Sequence, residues 1–441
     1  MKIIANWRSL VKDTRTPVIL VSGLDNHAIG RTAQALVVAG TALVHHDLSC
    51  VGDGIITRTV CSVDLDGGQR YSTTELRLAH GCANCTLRED LLPMLRRLHR
   101  RSQVETIVVA LDRCMEPEAV AFAINEVIVA DMPGFLDAPA GDDVRLQATV
   151  TCVDESEWLD AAIGDVNVAE DSGPVDDERT IAQLAVGQVR FADALVIAGC
   201  DPAHRDAWQS ARLMAVLRRL APSAPIMMEL PQRPITSPLA SQLLAAIGPL
   251  ARRGRVDDPH DPLLFGEPPL AEDCGVAIVE FHADRPFHPE RLHEAVDILL
   301  DGVVTARGRL WLASQHDEAF WIESAGGGLR VALGGPWLAA MSEDELAQES
   351  ADRRAMAALR WNDDFGDRHT SIVVLSHRAD PEDIQSALRA ACLTDDELAA
   401  GPELWAAYPD PFGDFHADPC EPTESAVALS PADSPSSNLE D

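Results

Sequence analysis

The sequence predicts an α/β protein: a mostly parallel sheet with helices on both faces, followed by a smaller α+β domain. Three observations predict it. Short apolar runs alternate with helix-patterned stretches through the first half of the 441 residues. The composition changes at Cys274, where strands of alternating pattern take over. Between the two lies Leu250–Asp273, with Arg252, Arg253 and Arg255 followed by prolines and acids, the make-up of a linker.

The elements follow in order. Pro17–Ser22, PVILVS, is the continuous apolar run that a buried parallel strand requires. Ala28–Val38 can form a helix, and Thr41–His46 reads as the next strand. A polar stretch follows. From Thr86 to Arg101, Leu87, Leu91, Met94, Leu95 and Leu98 recur at helical spacing, and Pro93 either kinks that helix or marks a later start. Val104–Leu111 is a strand, and a helix begins near Glu116. Asp131–Asp143 is dense in turn formers and reads as loose. Further strands fall at Arg145–Val153, Ala194–Ala198 and Pro225–Leu230. In the second half, residues 275–292 give a strand, a turn and a helix start. RGRLWLAS, AFWIES and GLRVAL alternate as three strands, and TSIVVLS precedes the helix PEDIQSALRAAC. The predicted organisation is a domain at 1–249, a linker at 250–273, a second domain at 274–417, and an acidic tail at 418–441 expected to be disordered.

Composition narrows the function. Hydrophobic residues make up 46% but aromatics only 5%, so Ala, Val and Leu must fill the core. The formal net charge of −34 argues against general DNA binding; any RNA contact would need a local basic patch or be made to protein. One such patch is the helix segment with Arg88, Arg96, Arg97, His99, Arg100 and Arg101, though such a run is more often a solvated face beside a core stripe. No apolar run reaches membrane-spanning length and no signal peptide is recognisable, so the expected setting is cytoplasmic, without a membrane. Ten cysteines in so long a chain do not read as a disulfide framework. Trp311, Trp321 and Trp337 are expected in the core of the second domain rather than as a stacking platform.

Two stretches carry candidate chemistry. VSGLDNHAIGRT, residues 21–32, almost matches a phosphate-binding loop, in which backbone N–H groups cradle phosphate and a Lys reaches its terminal oxygens. Gly23 and Gly30 stand seven apart rather than five, and Arg31 replaces the Lys before Thr32, so the loop reads as two residues too long. Cys82-Ala83-Asn84-Cys85 is a thiol pair able to hold Zn²⁺, with His80 the nearest further ligand in sequence. The same pair also reads as unliganded residues at a helix start, or as thiols activated by the helix dipole. His45 and His46 end the second strand and are more often packing residues than ligands.

RPFHPERLHEAV, GRLWLAS, WNDDFGDRHTSIVVLS and ACLTDDELAAGPELWAAYPDPF together resemble the C-terminal domain of the CobW family, P-loop GTPases of metal handling. HGCANCTLREDLLPMLRRL is similar to that family's Gly-Cys-x-Cys-Cys segment. MEPEAV, TCVDESEWL and DERTIAQLAVGQVRFADALVIAGCD resemble its later strands and helices. The resemblance implies a P-loop-NTPase-like first domain, a CobW C-terminal domain, and zinc, GTP and Mg²⁺ as ligands. Three departures qualify it. The Gly-Lys-Thr falls on Gly30-Arg31-Thr32. The Glu-x-x-Gly acid and glycine fall on Ala110 and Arg113, leaving Asp112 displaced. The Asn-Lys-x-Asp falls on Ala198-Gly199-Cys200-Asp201. Gly23, Gly30, Arg31, Thr32 and Asp201 would form a degenerate nucleotide site with weak or absent GTP hydrolysis. In this site Thr32 could still ligate magnesium and Asp201 could still meet guanine. The cysteine motif also departs from the family, with Asn84 at its middle position.

Within the family, RTPVILVSGLD, VHHDLSCVGDG and HGCANCTLREDLLPMLRRLHRR resemble the actinobacterial group (MRF) that recruits a ribosome hibernation factor under zinc limitation. That resemblance implies an adapter between a hibernation factor and the small ribosomal subunit. The alternative is a GTP-dependent zinc metallochaperone.

Overall fold

The computed structural model describes residues 13–78, 86–171, 177–198, 206–230 and 232–413. In the first domain the strands are β1 (Thr16–Gly23), β2 (Thr41–Asp47), β3 (Ile55–Val63), β4 (Gln69–Arg77), β5 (Thr106–Ala110), the short β6 (Ile128–Val129) and β7 (Ala138–Pro139), β8 (Val144–Asp154), β9 (Ala194–Ala198) and β10 (Ile226–Met228). Its helices are α1 (Asn26–Ala35), α2 (Leu92–His99), α3 (Pro117–Glu126), α4 (Trp158–Ala162), α5 (Ile181–Arg190), α6 (Ala207–Leu220) and α7 (Ser237–Ala245).

Eight strands form one sheet in the order β10-β9-β8-β1-β5-β2-β3-β4. β10, β9, β8, β1, β5 and β2 pair in parallel. Alternation along β1 supplies both faces: Val18 and Leu20 meet Leu91, Leu95 and Val120 on one side, whereas Ile19 and Val21 meet Ile29, Ala33 and Leu243 on the other. This double burial is why the strands read as unbroken apolar runs.

The polar stretch after β2 is a correction to the sequence reading: it folds as the hairpin β3–β4, antiparallel to β2 and to itself. Only one of its faces is covered. Ile56 and Val60 point into the core while β4 stays largely exposed, so no apolar run marks it. The expected long helix forms as one run: a π-helical turn, Leu87–Leu91, leads straight into α2, and the wide turn lies directly before Pro93, which has no N–H for the regular helical ladder.

The second domain contains β11 (Ala277–Ala283), β12 (Val303–Trp311), β13 (Glu318–Ala325), β14 (Gly328–Pro336) and β15 (Thr370–Ser376), ordered β11-β15-β12-β13-β14 and antiparallel throughout. Helices α8 (Pro289–Ala295) and α11 (Pro381–Ala391) cover one face through Leu292, Ile384 and Leu388; α9 (Glu343–Gln348) and α10 (Ala351–Ala358) lie between β14 and β15 in sequence. Trp311 and Trp337 are fully buried in the core, as expected; Trp321 is half-buried, with the Arg307 guanidinium 5.1 Å from its ring. Gly308 has a steric reason: a Cβ there would collide with the Ser371 carbonyl oxygen on β15.

Two segments that read as loose are pinned by arginines. Buried Arg96 bonds Asp143 at 2.7 Å and the Val129, Leu136 and Ala138 carbonyls, fixing 129–143. It is scaffold rather than basic surface, whereas Arg97 and Arg101 remain exposed. The segment 250–273 is a strap: Arg309 donates to the carbonyls of Pro259 and Asp261, both at 2.8 Å, and the Arg253 N–H donates to Asp193. The tail at 418–441 lies outside the described residues. Among the described residues no helix is long and apolar enough to cross a membrane, and the cysteines are free thiols.

His369 and His377 sit buried in the second domain. Burial, reinforced by nearby arginines, pushes both imidazoles down to about 4 from 6.5. Neither ring nitrogen of His377 has a hydrogen-bond partner. The unfolded chain therefore takes up protons that the folded chain refuses, so stability is full above about pH 6.5 and declines as pH falls toward about 4. Urea midpoints measured from neutral pH to mild acid should fall for the wild type. His377→Gln should flatten that slope.

Candidate functional site

In a sheet of this topology ligands bind beyond the carboxyl ends of the strands, where β1 passes into α1. β1 ends at Gly23, with φ +152°, and a Cβ there would sit 2.6 Å from the Cys152 carbonyl oxygen. Only Leu24 and Asp25 then intervene before α1 begins at Asn26. The expected long loop is therefore corrected: the connection is short, and Gly30, Arg31 and Thr32 lie in the middle of the helix. The reason is local. Asp25 has extended backbone, and its carboxylate accepts from His27 N at 2.8 Å and Ala28 N at 3.2 Å, capping the helix two residues ahead of the expected start at Ala28.

Each of the expected phosphate-site residues is otherwise engaged. Gly30 is exposed, and a Cβ on it would meet nothing within 4 Å, so no close approach demands glycine there. Arg31 forks onto buried Glu229 of the β10 end, at 2.9 to 3.3 Å, and these bonds hold its pKa above the usual arginine value. Glu229 also accepts from Ile235 N at 3.3 Å. Thr32 is buried and accepts from the Cys152 thiol at 3.3 Å; burial keeps that thiol protonated, its pKa pushed up to about 12.

The segment after β5 is fastened as well. Buried Asp112 accepts from Leu48 N at 3.4 Å and Cys114 N at 3.1 Å. Asn26 accepts from Arg113 N at 3.2 Å. Gln188 donates to the Arg113 and Met115 carbonyls at 3.1 and 3.2 Å, and Arg179 to the Cys114 carbonyl at 2.8 Å while pairing with Glu116 and Asp177. In a GTPase the corresponding segment responds to the terminal phosphate. Here side chains of the same chain hold it.

These residues do not fit a nucleoside triphosphate and its magnesium. A carboxylate occupies the N–H groups of His27 and Ala28 that would receive phosphate, Arg31 is spent on Glu229, and the candidate magnesium ligand Thr32 is buried beside Cys152. Asp201 lies outside the described residues, as do His80, Cys82 and Cys85. What precedes and follows the cysteine segment is firm: Asp90 in the π-helical turn takes the His46 ring at 2.7 Å and the Arg58 guanidinium, and His45 Nδ1 lies 3.0 Å from the Ala110 carbonyl. One ring nitrogen of each histidine is thus engaged within the first domain. Among the described residues no group of three or more His, Cys, Asp or Glu side chains could hold a metal ion.

The residues that sequence reasoning missed are Asp25, Glu229, Arg179 and Gln188. Asp25 carried a signal, an Asx residue directly before a helix pattern. The other three act across sequence distances that no local pattern reveals.

A doubly covered parallel sheet joined to an antiparallel α+β domain defines a two-domain protein of GTPase architecture, with its first nucleotide loop rebuilt. The CobW/HypB/UreG nucleotide-binding domain matches residues 49–228, and the cobalamin synthesis protein cobW C-terminal domain matches residues 276–392. The chain is 49% identical over 414 residues, 94% of its length and 96% of the relative's, to a Mycobacterium tuberculosis protein named zinc chaperone Rv0106. It is 25% identical over 345 residues, 76% of this chain and 70% of the other, to zinc-regulated GTPase metalloprotein activator 1 of Dictyostelium discoideum. The crystal structure of Zn(II)-bound YjiA GTPase from E. coli aligns at 13% identity and a TM-score of 0.36, over 86% of this chain and 99% of that one. The chain belongs to the CobW family.

Two substitutions test the rebuilt loop. Gly30→Ala should raise stability by about 0.5–1 kcal/mol, because a mid-helix glycine is being replaced where space is open. Asp25→Ala should lower it by about 1 kcal/mol through loss of the cap. Urea denaturation of both variants measures these changes.

Proposed function

We propose that this CobW-family chain acts in zinc handling as a binding platform whose shape does not depend on GTP turnover. The observation that carries the proposal is the α1 N-terminus, where Asp25 fills the place of a bound phosphate. By the resemblance of its N-terminal segments, the partners we propose are a ribosome hibernation factor and the small ribosomal subunit, met in the cytoplasm. Contact with ribosomal RNA by so acidic a chain would fall on local cations such as exposed Arg97 of α2 and Arg101 just beyond it. Zinc would be cargo or signal, held by Cys82 and Cys85 with His80.

A second reading is favoured by two relatives, one named a zinc chaperone and one a zinc-regulated GTPase metalloprotein activator. In that reading the chain is a GTP-dependent zinc metallochaperone.

Titration with a fluorescent guanine nucleotide and magnesium separates the two. The platform reading expects no saturation through the micromolar range and no phosphate release; saturable binding with turnover would establish the chaperone instead. Co-sedimentation should show more hibernation factor on small ribosomal subunits when this chain is present, and an unchanged occupancy would refute the proposed partners. For the metal, at most one zinc per chain is expected, and Cys82→Ser should lose it in a stoichiometry measured by mass spectrometry of metals.

A further inference from the structure

We propose that the junction of the two domains holds one small monovalent anion, of the chemistry of chloride, in a cavity walled by Arg219, Arg252, Arg307 and Thr305. The cavity measures about 50 Å³. A water's share of liquid volume is about 30 Å³, so the space takes a small ion and excludes an organic phosphate. Three parts of the chain build it. The end of α6 supplies Arg219, and β12 supplies Thr305 and Arg307. The strap supplies Arg252 and the apolar cover Leu263, Leu264 and Phe265. Thr305 and Arg307 lie two apart on their strand and so share a face, whereas Ala306 between them packs on the other face with Leu292 and Leu388.

The wall is rich in donors that nothing satisfies. All four of its polar side chains belong to residues less than one-tenth exposed. Nε of Arg219, Arg252 and Arg307 and Oγ1 of Thr305 are buried without a hydrogen-bond partner. Of its five side-chain N–H donors, Arg307 commits one, to Asp257 at 3.4 Å, and Arg252 commits one, also to Asp257. The Phe265 ring covers the flat face of the Arg252 guanidinium, 4.1 Å from its carbon, which leaves the polar edge to find partners. Buried donors without partners are rare in native proteins. Three of the four orphaned atoms can only donate. A water must donate as well as accept, whereas an anion accepts from every side.

The charge balance asks for the same occupant. Arg190 also lines the cavity and is matched by Glu118 and Glu323. Asp257 serves both Arg252 and Arg307. Arg219 has no ion pair among the described residues. It donates to the Ala215 carbonyl at 2.8 Å and to the Ala271 carbonyl, and Asp273 attracts it only from the exposed surface. Four cations thus stand against three carboxylates, one negative charge short. Burial, then Arg190, pull the pKa of Arg307 down to about 10, and burial lowers that of Arg219, the behaviour of cations without a full counter-charge. One monovalent anion closes the balance, and a divalent one overshoots it. Seated among α6, the strap and β12, the ion ties the two domains together.

Urea unfolding of the full chain at constant ionic strength, with sodium gluconate exchanged stepwise for sodium chloride, reads the ion. The midpoint should rise with chloride and level off by about 100 mM, since an ion that binds only the folded chain stabilises it by mass action. Bromide should replace chloride in this effect, and gluconate, too large for the cavity, should not. Thr305→Val keeps the shape of the side chain and removes one donor, so it should raise the half-saturating chloride concentration about tenfold. Arg219→Met removes the unmatched charge and should abolish the chloride dependence with unchanged far-ultraviolet circular dichroism; if that variant does not fold, Thr305→Val decides alone. Crystals soaked in bromide should show an anomalous peak between Arg219 and Arg307. The proposal is overturned by equal midpoints in chloride and gluconate, or by a rise that never levels. It is equally overturned by a chloride effect that Thr305→Val leaves untouched, or by a cavity that holds only water in bromide.

Discussion

Six charged side chains meet where the two domains join, and the arrangement of the whole chain depends on their balance. Arg190 of α5 pairs with Glu118 of α3 and Glu323 of β13; Arg307 of β12 and Arg252 of the strap share Asp257. Three guanidinium groups thus face three carboxylates, largely away from water. Burial opposes the charge on Arg190, but Glu323 and Glu118 outweigh it and raise its pKa. Arg307 gives way instead: burial and then Arg190 pull it down to about 10. Leaving one member of such a cluster unpaired costs about 3–5 kcal/mol, so the charges enforce one relation of the domains even if they add little net stability. The strap contributes one cation and one anion to the cluster, Arg252 and Asp257.

The same logic of internal satisfaction operates at α1. A helix N-terminus offers free N–H groups and a positive end, which a phosphate or a carboxylate can satisfy. Asp25 is covalently present, so it competes with any free anion at very high effective concentration. Two further anchors oppose a return to a phosphate cradle: Arg31 would have to leave Glu229, and Thr32 would have to turn out of the core beside Cys152. A site of this kind is filled by its own chain.

Much of this fold was legible in sequence, for identifiable reasons. β1, β2, β5, β8 and β9 are covered on both faces, so burial wrote itself into composition. The β3–β4 hairpin was not legible because one face is open and β4 is polar on both. The loop at 21–32 misled because glycine spacing was weighed above the capping signal of Asp25, although the capping signal decides where a helix starts. Arg96 looked like part of a basic face, since sequence cannot tell a guanidinium that collects buried carbonyls from one in water. The cysteine pair lies outside the described residues; beside it, Asp90 ties His46 to Arg58, a pairing across sequence distance that no local pattern reveals.

Separation of these two regions has a mechanistic consequence. A ligand shifts a conformational equilibrium only by its differential affinity for the two states. The segment 112–116 is held by Asn26, Arg179, Gln188 and the Asp112 cap, each bond worth about 0.5–1.5 kcal/mol net. A nucleotide would have to displace Asp25 before it could touch that segment, so most of its binding energy would go into undoing local structure. Events at the cysteine segment enter elsewhere. That segment joins β4 to the π-helical turn, and the turn is tied through Asp90 to β2 by His46 and to β3 by Arg58. Metal capture there would act on the sheet edge formed by the hairpin, with no need of α1. The metal role proposed for that segment would thus not need the nucleotide loop.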